Sequence, residues 1–321
     1  MKKFLSFLLA FAFLPLCGCS AKEVVTSDKQ EYIVSSLGFD SVGGNTKMMI
    51  EAIVVNTDDL SEEKQSRLIF GTGETVGEAY SEIVSKITQP LSLGHNAVTV
   101  IGGGIVLSQL KDIFAFCRKN TEINVATMLV YTDNAEKLLS CRAVSSVAVG
   151  FDIMSMIEVT EEQKGTLFNN RFYEAEALNT NPIKTFWMPR LTVKDDAFFV
   201  DGLAVFKNYE MIKALKNGEL SAFCLVRDSL TRGVDNGMII NYSKVSYDFS
   251  YNKSLEITIN AHIKGENIGT LKTKTEKILE NEDIFGIGNI IAQKEPKIWE
   301  KIEENYDDYY KKAEIKVNIY E

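Results

Sequence analysis

Two glycine clusters are the first places in this sequence where chemistry could sit. Ile101-Gly102-Gly103-Gly104-Ile105 falls between a strand-like run and a helix-like segment. A helix N-terminus offers unpaired N–H groups and the positive end of its dipole, so a phosphate can be held at such a turn. The dinucleotide fingerprint needs a further glycine at 107, where Leu107 stands. Its acidic residue should follow the next strand, whereas Glu122 precedes it. Gly71-x-Gly73-x-x-x-Gly77 also precedes a helix, but behind a short, weakly apolar segment. Both clusters read as tight turns.

The titratable residues give no sharper constellation. His95 and His262 are the only histidines, too few for a multi-histidine metal site, and neither has a Cys or carboxylate at ligand spacing. His262 falls on the polar face of an alternating run, and His95 in a loop before a strand. The acidic pairs Asp58-Asp59, Asp195-Asp196 and Asp307-Asp308 read as solvated faces or caps. Phe168, Phe172, Tyr173, Phe186 and Trp187 could line a groove, but their spacing suits a core better. No GxSxG, HExxH or phosphate-loop pattern is present. No catalytic residue, cofactor or metal site is assigned.

The cysteines divide into two groups. Cys117, Cys141 and Cys224 are three, so they cannot all pair, and Cys117 and Cys224 lie in apolar runs like small buried hydrophobes. Cys17 and Cys19 follow a signal-like start. Lys2 and Lys3 are followed by the apolar run Phe4–Leu16, shorter than the ~20 residues that cross a bilayer. Leu16-Cys17-Gly18-Cys19 has the form of a lipobox, which makes Cys19 the acylated first residue of the mature chain. Leu16 is too large for the position before cleavage at Cys17. An ordinary cleaved signal with a soluble product is the other reading. Two acyl chains, at about 0.8 kcal/mol per buried CH₂, make a stable anchor where one does not.

The 321 residues allow two or three domains, and 45% hydrophobic with 25% charged residues is the balance of a chain with a real core. The net charge is −9, and removing the two N-terminal lysines makes the rest more negative. Such a body repels nucleic acid and anionic headgroups, so membrane attachment has to come from the anchor.

The elements that would position these residues fall into two halves. Residues 1–18 read as a lipoprotein signal peptide and 19–30 as a polar tether. Residues 31–190 read as an α/β region in which 31–140 runs β-β-α-β-α-β-α. Its opening hairpin turns at Ser41–Asn45, the stretch 57–70 is irregular, and Thr75-x-x-Glu78 is a capping box. Asp133 is expected to cap a short helix, and Thr160–Gln163 reads as a second capping box opening a helix toward Ala177. Residues 191–321 read as an α+β region of one or two subdomains. Glu210–Lys216 and Leu220–Asp228 are expected as short helices. Met238–Phe249, Leu255–Lys264 and Ala313–Tyr320 are expected as strands of an antiparallel sheet.

Several stretches, in order, resemble the Ger(x)C family, the lipoprotein C subunit of GerA-type spore germinant receptors. They are Tyr32–Asp40 ending in Gly-x-Asp, Gly73–Ala79, Leu91–His95, Phe116–Arg118, Gly202–Lys207, Asp283–Gly288, Pro296-x-x-Trp299 and Ala313–Ile319. Two departures stand out. Ser20 replaces the Trp that usually follows the lipidated Cys, and Tyr306 stands at a second family Trp.

The resemblance implies mixed α/β domains and a non-catalytic subunit needed for nutrient-triggered germination. It implies a complex with two integral-membrane partners, one permease-like, on the outer surface of the spore inner membrane, answering amino acids, sugars or nucleosides. Cys19 is the single site residue it carries over. A solute-binding lipoprotein of a transporter is the alternative reading.

Overall fold

The structure is a computed structural model and describes residues 31–54 and 66–320. Thirteen strands among them form two sheets. The first, β1 (Tyr32–Val42), and β2 (Asn45–Val54) close through Gly43 and Gly44, both left-handed at φ 59° and 87°. That two-residue turn matches the strand twist, which is why Gly-Gly makes a tight hairpin here. Then come β3 (Ser66–Gly73), β4 (Leu91–Ser92), β5 (Val98–Gly102), β6 (Met128–Thr132), β7 (Thr185–Lys194), β8 (Ala197–Lys207) and β9 (Glu210–Lys216).

The large sheet is mixed, in the order β3-β2-β1-β5-β6-β7-β8-β9, with β4 beside β1. Its centre, β1, β5, β6 and β7, is parallel, and antiparallel strands flank it on both sides. Both faces are covered. Val98, Val100, Met128 and Val130 enter one core, and Ile101 and Leu129 enter the other. Helices α1 (Val76–Lys86), α2 (Leu107–Lys119) and α5 (Phe172–Thr180) cover the second of these, and α3 (Ala135–Leu139) and α4 (Val149–Lys164) the first.

The first core continues without a break into the C-terminal region. Helix α6 (Leu220–Val226) is buried at every residue. Beside it lies a sheet of β10 (Gly233–Asp235), β11 (Met238–Asn252), β12 (Ser254–Glu266) and β13 (Glu314–Tyr320). Leu255, Ile257, Ile259, Ala261 and Ile263 alternate inward from β12, as the period of two requires. Helices α7 (Leu271–Ile278), α8 (Ile287–Lys294), α9 (Pro296–Ile302) and α10 (Tyr306–Lys311) complete the region.

Several expectations are corrected. The stretch 57–70 is not irregular throughout, since β3 begins at Ser66 and pairs along β2. Glu210–Lys216 is β9, because pairing along β8 outweighs its helix-forming residues. Thr160–Gln163 does not open a helix. It ends α4, where Thr160 bonds back to the Met156 carbonyl at 2.7 Å and Gly165 closes the helix at φ 67°. The short helix α3 is capped by Asn134, not Asp133. The small sheet is not wholly antiparallel, because β13 runs parallel to β12. The expected division at 190/191 falls within β7, and the large sheet runs on through β9. Among the described residues no helix is long and apolar enough to cross a membrane.

Candidate functional site

The glycine-rich turn after β5 lies at the carboxyl end of the parallel strands, the usual ligand position in an α/β sheet. Here the protein fills it with its own acid. Asp40, at the end of β1, accepts from the Ala135 and Glu136 N–H groups at 3.1 and 2.9 Å, on the N-terminus of α3. A Cβ on Gly102 would come within 1.7 Å of an Asp40 carboxylate oxygen, so only glycine fits beside the cap. Burial raises the Asp40 pKa from its ordinary 3.8, against the pull of the two N–H bonds. The N-terminus of α4 is occupied likewise. Glu51 of β2 takes the Val149 and Gly150 N–H at 2.7 and 2.9 Å, and Ser35, Ser36 and Ser66 also bond to its carboxylate. A phosphate would have to displace these carboxylates.

The Gly71 cluster is a packing device, since a Cβ on Gly71 would meet the Ala79 carbonyl of α1 at 2.0 Å. His95 ends a single 3₁₀ turn, and His262 lies exposed on β12 with its ring 5.0 Å from Tyr320. Asp195 and Asp196 form the left-handed β7–β8 turn. Asp58 and Asp59 lie outside the described residues, and so does Cys19. Phe168, Phe172, Phe186 and Trp187 are buried, while Tyr173 is exposed. The thiols of Cys117 and Cys224 are pushed up to about 12 by burial. Among the described residues no three acidic, His or Cys side chains gather as metal ligands would.

Three of the motifs in the second half converge on one junction instead. Asp283 is buried before α8 and accepts from the Phe285, Ile287 and Gly288 N–H groups at 3.1, 2.9 and 2.9 Å. A carboxylate suits this end of a helix, where N–H groups lack partners. Its fourth donor is the Tyr306 hydroxyl at 2.8 Å. Burial first, then the neighbouring Asp283 charge, pushes the Tyr306 phenol well above its ordinary range. Gly288 sits where a Cβ would come within 2.6 Å of Ile183 and 2.7 Å of Tyr306. One residue on, the Asn289 side chain accepts from the Ile183 N–H at 3.0 Å.

So α8 is fastened to the loop that precedes β7. Lys207, at the end of β8, adds an ion pair of 2.5 Å to Asp307 of α10. A second seam runs through aromatic rings. Trp187 of β7 meets Phe223 of α6 edge-on at 5.4 Å, and Phe223 meets Phe285 at 5.3 Å. Arg227 stacks on the Trp187 ring at 4.6 Å and donates to the Phe285 carbonyl at 2.8 Å. Burial draws its pKa below the ordinary arginine value.

Over the junction lies an open groove of about 500 Å³, walled by Pro182 and Ile183 on one side and by Trp299 and Tyr306 on the other. Glu303, Glu304, Asp307 and Asp308 rim it. Trp299 stands 5.3 Å from Tyr306, and Pro296 begins its helix. These groups hold two regions in fixed register. The stretches Gly202–Lys207, Asp283–Gly288 and Pro296–Trp299 were visible as separate words in the sequence. Their meeting was not, because Lys207, Asp283 and Tyr306 are joined only by the fold.

Residues 29–193 match the model of the spore germination protein N-terminal domain, and residues 201–320 that of the spore germination B3/GerAC-like C-terminal domain. Over 234 residues the chain is 21% identical to the spore germination protein GerQC of Bacillus cereus, a match that spans 73% of this chain and 63% of that relative. The chain therefore covers less than two thirds of the curated relative's length. The crystal structure of the GerBC protein superposes with a TM-score of 0.58 at 15% identity, over 88% of this chain and 95% of that one. That likeness supports the mixed α/β fold.

Proposed function

The chain belongs to the GerAC-like family of spore germination proteins, and we propose that it is the lipid-anchored, non-catalytic C subunit of a germinant receptor. The observation that carries this reading is the match of both family domains, in order, over nearly all the described residues. The fold supports it. The family motifs act as caps and fasteners between regions, as a body working by contact needs. The two regions differ in architecture, one built on a nine-stranded and one on a four-stranded sheet, unlike the paired lobes with which solute binders close on a ligand.

Three finer statements belong to the same proposal. Residues 1–18 are a signal peptide, and acylated Cys19, followed by the tether 19–30, holds the body to the outer surface of the spore inner membrane. The partners are two integral-membrane subunits, one permease-like. The expected regions 31–190 and 191–321 share β7 and the large sheet, and act together as one body.

The test is Cys19→Ala in spores. The substituted chain is expected to leave the membrane fraction while keeping its unfolding midpoint, and nutrient-triggered germination should slow. Retention of the variant in membranes at the wild-type level would overturn the anchor as the sole attachment.

A further inference from the structure

Strand β13 is an outer edge of the small sheet. It pairs with β12 over all seven residues without a bulge, and no described strand pairs with its other side. The opposite edge, β10, is three residues long and its neighbour is bulged. Long, regular edges present rows of free N–H and C=O groups and are normally blunted by charged side chains, proline, bulges or inward charge. Of these β13 has only the outward Glu314 and Lys316, which neutralise each other at 2.8 Å, and neither proline, bulge nor inward charge interrupts it.

The inward residues of β13 are incompletely covered. Val317 is buried, but Ile315 and Ile319 are only partly so. Below this edge, between β13 and α7, lies a recess of about 410 Å³ floored by Leu279, Ala313, Ile315 and Val317. Glu276, Glu280 and Lys311 rim it; Glu276 is exposed and only loosely paired with Lys272 at 3.8 Å, and Glu280 is exposed.

We propose that β13 receives one extended segment of a membrane partner subunit as an added strand, with apolar side chains entering the recess and a Lys or Arg meeting Glu276 and Glu280. The choice of partner rests on the receptor reading above. Backbone pairing along seven residues, about 23 Å at 3.3 Å each, supplies length, and the recess selects alternate apolar residues. The acidic rim selects against a second copy. A twofold pairing of β13 with β13 would bring Glu276 and Glu280 against the same carboxylates.

The test uses the whole receptor, co-expressed and purified through a tag on a membrane subunit. Ala313→Phe fills the recess, and Glu276→Lys with Glu280→Lys reverses the rim. These positions are half-buried or exposed, so the unfolding midpoint should hold. Each variant is expected to lower recovery of this chain in the complex at least tenfold. A photo-reactive residue at 313 should cross-link to a membrane subunit. Wild-type recovery of both variants, or a cross-link joining two copies of this chain, overturns the added strand alone. Absence of the wild-type chain from the complex overturns it together with the receptor reading.

Discussion

The Tyr306 hydroxyl donates to Asp283 across a buried gap of 2.8 Å, and so completes four hydrogen bonds on one carboxylate. The other three are backbone N–H groups at the start of α8, the helix whose Asn289 holds the Ile183 N–H. The phenol therefore secures a helix cap, and the cap secures the junction. A tryptophan, expected at this position from the family pattern, could offer an indole N–H for the same duty.

Removing only the hydroxyl isolates that bond. Tyr306→Phe keeps the ring against Trp299 but takes one charge-assisted donor from a buried acid. Such bonds contribute about 1.5–3 kcal/mol, so the variant should lose about that much in urea unfolding. Asp283→Ala should lose more, because three N–H groups lose their acceptor together. A Tyr306→Phe loss below about 0.5 kcal/mol would show that the cap holds without the phenol.

Part of this was legible in the sequence. Gly43-Gly44, the Thr75–Glu78 capping box and the alternation of β12 are local signals, and each element formed where its pattern stood. The failures have equally local causes. A Thr-x-x-Gln spacing cannot tell a helix start from its end. At 160–163 the next acid, Glu161, instead reaches forward to accept from the Phe168 N–H at 2.6 Å and from Asn169. Glu210–Lys216 is rich in helix formers, yet β8 offered an edge. The Asp283–Tyr306 bond and the occupation of the glycine turn by Asp40 depend on long-range packing that no spacing encodes.

Gly102 shows the cost of crowding such a cap. Gly102→Ala would drive a methyl into the Asp40 carboxylate and unseat the N-terminus of α3. Overpacking costs about 1–3 kcal/mol and a lost cap about 0.5–2. A fall of about 2–4 kcal/mol in urea unfolding is expected, while Gly218→Ala, whose Cβ would meet nothing within 4 Å, should change little. Equal effects of the two substitutions would contradict the close approach.

The pH dependence of the Asp40 cap has a definite sign. Its pKa is raised in the folded chain, chiefly by burial, so above pH 3.8 the folded state holds a proton that the unfolded state has released. Stability linked to this group is greatest below its ordinary value and declines as pH rises through the raised one. Asp40→Asn removes that titration. The difference in unfolding free energy, wild type minus Asp40→Asn, should therefore shrink as pH rises from 3.8 and then level off. A difference that grows with pH would mean that the N–H bonds outweigh burial.

The cysteines give a map that joins the body to its anchor. Burial pushes the Cys117 and Cys224 thiols to about 12 and raises the buried Cys141 thiol as well. The thiolate is the nucleophile, so at pH 8 about one Cys117 or Cys224 thiol in ten thousand is reactive, and closed packing bars the reagent besides. Native labelling with iodoacetamide, followed by peptide mapping, should leave all three unmodified, and denaturant should expose all three. Cys19 should resist alkylation in both states, because its sulfur would already carry a thioether. Rapid native labelling at 117 or 224 would show that the core opens there, and labelling at 19 after denaturation would show a free thiol where the anchor is proposed.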